Sequence, residues 1–253
     1  MIDKRFTKTK TVNSGQYKSG QKGTQSKKVL KFDLDGKFIR EFESAKDAGS
    51  EIGVTGGGIQ YTCTKSKSGI SKGFKYSYKP DIKIVILGHG RMGKDTVAEM
   101  INKYTGMSFK SSSLAAAEIF LYDDLKEEYC YKSFEECFND RHTQYNMSGG
   151  YNMREVWHNK ISEYNTPDKA KLASDILKQN DIYVGMRSDE EIQACIKKGL
   201  FDMIIGVFDP RKALEPKESF NIDMWAVCDF IIMNNSSLEV LDDRVKVFCR
   251  AIS

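Results

Sequence analysis

The chain reads as an α/β protein in two parts, a parallel sheet flanked by helices over residues 81–253 and, before it, a small α+β, helix-turn-helix-like module over 28–79. Three observations predict this. From Asp81 onward, short apolar runs alternate with amphipathic stretches, as in a parallel sheet covered by helices on both faces. One of those runs ends in a glycine-rich turn that opens straight into a helix. The charge also changes sign at Pro80: residues 1–80 carry 17 Lys and Arg against 7 Asp and Glu, and residues 81–253 carry 22 against 28. The two parts therefore suit different partners.

Residues 1–27, rich in Lys, Ser, Thr, Gly and Gln, have little to bury and are expected to form a mobile basic tail. Val29 to Leu34 and Lys37 to Phe42 both alternate, and Asp35-Gly36 between them signals a hairpin. Ser44 is a good N-cap for a helix over Ala45 to Ile52, with Asp47 in a capping-box-like place and Gly53 as its stop. A second helix from Thr55 through Cys63 is weakened by Gly56-Gly57-Gly58, at about 1 kcal/mol per glycine relative to alanine. The strand Phe74 to Tyr78 closes the unit before Pro80.

In the second part, strands are expected at Ile82 to Leu87, Met107 to Lys110, Asp181 to Gly185, Phe201 to Phe208 and Asp229 to Met233. Helices are expected at Lys94 to Tyr104, Asn152 to Tyr164, Asp168 to Gln179, Asp189 to Lys198 and Ser237 to Cys249. The six cysteines are scattered, with no Cys-x-x-Cys pair and no signal-like run after Met1, which reads as reduced thiols of a soluble cytoplasmic protein. Apolar runs such as Ile84 to Leu87 are strand-sized, so no membrane partner is expected.

The strongest functional signal is Ile82 to Leu87 followed by Gly88-His89-Gly90-Arg91-Met92-Gly93-Lys94-Asp95-Thr96. Strand, glycine-rich turn and helix in that order make a phosphate-binding loop of Walker A type. Glycines let backbone N–H groups converge on phosphate oxygens, the helix N-terminus adds its positive end, and Lys94 reaches the outer phosphates. The Ser or Thr that usually follows the lysine is Asp95 here. Either Asp95 holds a magnesium ion, directly or through water, or Thr96 helps from the next position.

At Gly88 to Thr96 the sequence resembles the bacteriophage deoxynucleoside monophosphate kinases, whose loop also carries Gly-Lys-Asp-Thr. Asp181-Ile182-Tyr183-Val184-Gly185-Met186-Arg187 with Glu191 looks like that family's strand ending in Arg with Glu four positions on. Cys228 to Asn235 looks like its last strand and following Asn. The resemblance covers about residues 81–253 and implies an adenylate-kinase-like core, ATP and magnesium, and a deoxynucleoside monophosphate as acceptor.

Elementary chemistry points the same way. Arg187 falls just past the carboxyl end of a strand, on the edge where open α/β sheets bind ligands, and a guanidinium there grips phosphate bidentately. Glu191, one helical turn on, would orient Arg187 or the acceptor sugar, or simply make an exposed ion pair. Phosphoryl transfer also needs mobile cations that close over both nucleotides. Arg141 and Arg154, on either side of the flexible Ser148-Gly149-Gly150, are the candidates, while Trp157 reads as core. Gly185-Met186 occupies the region where related kinases often place a magnesium-holding Asp; Asp209, ending a strand beside Pro210, is an alternative carboxylate, and a turn-forming Asp-Pro is its blander explanation.

The module over 28–79 resembles the small modular DNA-binding domains beside phage and organellar homing nucleases, through Val29-x-x-Phe32-x-x-x-Gly36, Phe42-x-Ser44-Ala45-x-x-Ala48 and Gly73-Phe74-Lys75-Tyr76. The resemblance implies a second helix in the major groove, with Lys65, Lys67, Lys72 and Lys75 on phosphates. With three glycines where base-reading side chains belong, nonspecific DNA binding through residues 1–80 is the expectation; the alternative is a basic appendage kept for solubility. Two functions compete overall: a nucleoside monophosphate kinase, and a DNA-binding protein with a P-loop ATPase or polynucleotide kinase domain. The acidic second part favours a small nucleotide substrate.

Overall fold

The computed structural model describes residues 26–143 and 152–252. The basic tail lies almost wholly outside these, as does Ser148-Gly149-Gly150. The first unit is a four-stranded antiparallel sheet in the order β2-β1-β4-β3, formed by β1 (Val29–Phe32), β2 (Phe38–Phe42), β3 (Ile70–Ser71) and β4 (Phe74–Tyr78). Two helices connect β2 to β3, α1 (Ala45–Ile52) and α2 (Gly56–Thr64). The turn between β1 and β2 is wider than the two-residue hairpin expected. Asp33 clasps Lys37 through backbone and carboxylate, with Gly36 at φ 85° inside the loop.

The capping of α1 is as read from sequence: the Ser44 hydroxyl accepts from Asp47 N, and Gly53 stops the helix at φ 70°. The glycine triplet did not prevent α2. Thr55 caps it, accepting from Gly58 N at 3.1 Å. A Cβ on Gly56 would stand 3.1 Å from the Cα of Lys46, so this glycine lets α1 and α2 approach closely. Val29, Phe42, Ala45, Ala48, Ile59 and Tyr76 fill the small core.

The second unit is a five-stranded parallel sheet in the order β6-β7-β5-β8-β9. Its strands are β5 (Ile84–Leu87), β6 (Phe109–Ser111), β7 (Ile182–Val184), β8 (Met203–Phe208) and β9 (Phe230–Met233). Helices α3 (Lys94–Thr105) and α11 (Leu238–Ile252) cover one face, where Ile84 and Ile86 point among Val97, Ile101, Val245 and Phe248. Val85 and Leu87 point to the other face. There lie α4 (Ser112–Ala116), a π-helical turn at Ala117–Leu121, α5 (Tyr122–Leu125), α6 (Phe134–Asp140), α7 (Met153–Tyr164), α8 (Lys171–Gln179), α9 (Asp189–Lys198) and α10 (Met224–Val227). The expected α/β class is what the structure has.

Several expectations move: the strands expected from Ile82 and Phe201 start at Ile84 and Met203, and the last helix runs on to Ile252. The strand expected at Met107 to Lys110 starts at Phe109, because α3 continues to Thr105 and Met107 is buried beneath it. Helix α8 starts at Lys171 rather than Asp168, whose carboxylate accepts from Ala170 N to make a turn instead. The helical run Ser112 to Leu125, α6 and α10 were not expected at all; the first opens on a row of serines, of which Ser111 caps it. Trp157 is core, 3% exposed.

The first unit docks at the amino edge of the parallel sheet. Phe38 and Leu30 pack against Gly106, the left-handed residue (φ 64°) that ends α3. Lys79 bridges the units, its Nζ lying 3.0 Å from Glu41 and 2.8 Å from Asp181. Among the described residues no helix is long and apolar enough to cross a membrane.

Candidate functional site

Strand β5 is central and wholly buried, so its carboxyl end fixes where the following loop begins. Gly88 adopts φ 152°, and a Cβ there would sit 2.6 Å from the carbonyl of Val207 on β8; no other residue fits this turn. The chain then passes through Arg91 at φ 62° and Gly93 at φ 91° into α3. Met92 is buried and anchors the loop, while the Asn234 amide, just past β9, donates to the Met92 carbonyl at 3.0 Å. Asn234 was quoted in the sequence only as part of the last strand's signature. Its place at the carboxyl edge of the sheet is the signal that marks it as a loop-supporting residue.

Lys94 is 8% exposed and folds back over the loop, donating to the His89 carbonyl at 2.7 Å. Burial, helped by the nearby Arg187 charge, lowers its pKa to about 8. Arg187 lies past β7 and Arg154 in the first turn of α7, and both reach the loop. They meet there on a carboxylate that sequence reasoning missed: Glu215 accepts from Arg187 Nη1 at 2.8 and 2.9 Å, from Arg154 Nη2 at 2.5 Å and from Gly90 N at 2.6 Å. Nothing in Leu214-Glu215-Pro216 announces this, since the contact joins residues far apart in the chain. Burial alone would raise the Glu215 carboxyl, but Arg187, Gly90 N–H and Arg154 outweigh it and hold it below its usual range.

Other expected residues fall differently. Arg141 caps α6, donates to the Phe138 carbonyl and lies 3.7 Å over that ring, within reach of the Asp95 charge. Glu191 does not pair with Arg187; it accepts from Asn165 at 2.7 Å, and burial raises its pKa, which Asn165 partly offsets. Neither is it an exposed ion pair. Asp95 is exposed beside the lysine, whereas Thr96 lines a groove of about 440 Å³ between α3 and α11 with Glu99, Lys103 and Leu238. Asp209 is 1% exposed and bound by the Arg211 guanidinium, the turn reading rather than the metal reading. Among the described residues no group of three or more His, Cys, Asp or Glu is placed to hold a metal. The exposed Asp95 beside the glycine-rich loop fits magnesium, which keeps several waters and needs only one or two protein carboxylates.

Fold and loop together define the class: an α/β protein with a glycine-rich loop of Walker A pattern between its central strand and the helix that follows. No protein-family model matches the chain, and no curated protein matches it. Among solved structures it is similar to shikimate kinase from Aquifex aeolicus, at 9% identity, 67% of this chain, 96% of that one and a TM-score of 0.39. It is also similar to dephospho-CoA kinase from Campylobacter jejuni, at 16% identity, 68% of this chain, 96% of that one and a TM-score of 0.38. A gluconokinase from Sinorhizobium meliloti 1021 matches at 10% identity, 67% of this chain, 91% of that one and a TM-score of 0.36.

Proposed function

We propose that this chain is a kinase that transfers a phosphoryl group from ATP to a nucleoside monophosphate, with a basic N-terminal module that binds DNA without strong sequence preference. The observation that carries the kinase reading is the convergence of Gly90 N–H, Arg154 and Arg187 on one carboxylate at the lip of a loop already holding Lys94. Such an arrangement suits a group that carries several negative charges on oxygen, as phosphates do. In this reading Lys94 and the loop N–H groups hold the outer phosphates of ATP, and Arg187 and Arg154 neutralise charge as the phosphoryl group passes to the acceptor. Asp95 would hold magnesium, which supplies neutralisation of phosphate charge when bound. The nucleoside monophosphate acceptor rests on the sequence resemblance at Arg187 and its strand.

Lys94→Ala removes the buried cation and is expected to lower turnover by about 100-fold or more in a variant that keeps its native far-ultraviolet spectrum. Coupled ADP release, run with individual monophosphates and again with an oligonucleotide acceptor, reads this directly. Near-normal turnover in folded Lys94→Ala defeats the site assignment. Activity on the oligonucleotide alone favours a polynucleotide kinase.

A further inference from the structure

The segment joining β8 to α10 is fastened at both ends. At its start, Asp209 is buried and binds Arg211, whose Nη2 also donates to the Asn234 carbonyl at 2.8 Å. At its far end, Phe220 is buried and Asn221 N donates to the Arg187 carbonyl. Between them, from Pro210 to Glu218, every residue is exposed except Glu215. Over that stretch Glu215 is the one residue drawn away from solvent, and it is a carboxylate.

Its landing place is specific. Oε2 takes Gly90 N at 2.6 Å and Arg187 at 2.8 Å, and Oε1 takes Arg154 at 2.5 Å and Arg187 at 2.9 Å. A Cβ on Gly90 would come within 2.9 Å of Oε1, so the carboxylate lies against the loop backbone itself. Glu215 N also donates to His89 Nδ1 at 3.0 Å, and the His89 ring rests 4.2 Å from Phe220. The donor set is the one a phosphate takes: a loop N–H and two arginines beside a buried lysine.

Resting on the kinase reading, we propose that the Glu215 carboxylate is a built-in stand-in for a nucleotide phosphate at the lip of the loop, and that nucleotide binds by displacing it. A phosphate brings more charge and more oxygens to the same donors and so outcompetes a single carboxylate. The strap gives way between its two fastened ends, while Arg154 and Arg187 stay aimed at the point the phosphate takes. Affinity for phosphates is therefore lower than the bare loop would give.

The test measures pyrophosphate binding to the full chain by calorimetry, with Glu215→Gln, Glu215→Asp and Lys94→Ala. Glu215→Gln keeps the side-chain shape but not the charge, and is expected to bind pyrophosphate about tenfold more tightly than the parent. Its melting temperature should fall without pyrophosphate and its pyrophosphate-induced rise should grow. Glu215→Asp, too short to reach all its partners, should show the same trend and serves if the Gln variant fails to fold. Unchanged or weaker binding in both variants, with Lys94-dependent binding in the parent, overturns the stand-in and leaves the kinase reading intact. Binding indifferent to Lys94→Ala, or absent in every protein, overturns both.

Discussion

Lys94 is an ordinary lysine made unusual by its burial. With a pKa of about 8 in place of 10.5, it is half charged near pH 8, essentially charged a unit or more below and neutral well above. The folded chain then holds fewer protons than the unfolded one between those values, so the stability penalty of burying this charge is present below pH 8 and relieved as pH rises through that window. Phosphate favours the charged form, so at a pH where the free chain holds Lys94 largely neutral the proposed nucleotide binding is expected to take up a proton. Calorimetry at pH 8.5 in two buffers of different ionisation enthalpy should show that uptake; it should vanish at pH 7 and in Lys94→Ala. The motif made Lys94 legible, and the strand end did the same for Arg187. Glu215 was not, because a lone glutamate in an exposed strap carries no periodicity and acquires its meaning only from partners brought together by the sheet.

At the scale of elements, α3 ties the two units together. Its amino end is Lys94 and its carboxyl end is Gly106, whose left-handed backbone lies under Phe38 of β2. Gly106→Ala would place a methyl 2.7 Å from the Phe38 ring and impose a strained φ, which costs about 1–2 kcal/mol before any shift of the ring. A lowered denaturation midpoint with the phosphate loop still able to bind nucleotide is the expected result. Strands and long helices were legible because their apolar residues recur with a clear period. The run Ser112 to Leu125 was not, since serines and alanines give weak contrast between faces and a π-helical turn at Ala117–Leu121 shifts the period midway. Likewise the glycines of α2 weaken it by propensity, and its close packing against α1 outweighs them.

For the whole molecule, the break at Pro80 separates two cores but not two independent bodies. Lys79 joins Glu41 to Asp181, and Phe38 and Leu30 cover the end of α3. A chain beginning at Lys79 is expected to keep its turnover, because these contacts lie at the amino edge of the sheet, but to melt at a lower temperature. The same truncation should abolish binding to unrelated DNA duplexes, which in the full chain should weaken steeply as salt rises. Fluorescence anisotropy at several salt concentrations checks the second point and coupled ADP release the first. Lys65, Lys67 and Lys72 are exposed as that requires, while Lys75 is held by the Leu34 carbonyl at 2.6 Å.

The length of α3 sets a distance. Its 12 residues span about 18 Å, and the phosphate loop and the docked module stand at its opposite ends. On the proposed function, a strand gripped by the module would be moored across the molecule from the phosphate loop and would reach it only with a slack end long enough to round the sheet. A mononucleotide would have no such voyage to make, and the two ligands would be free to occupy their berths together.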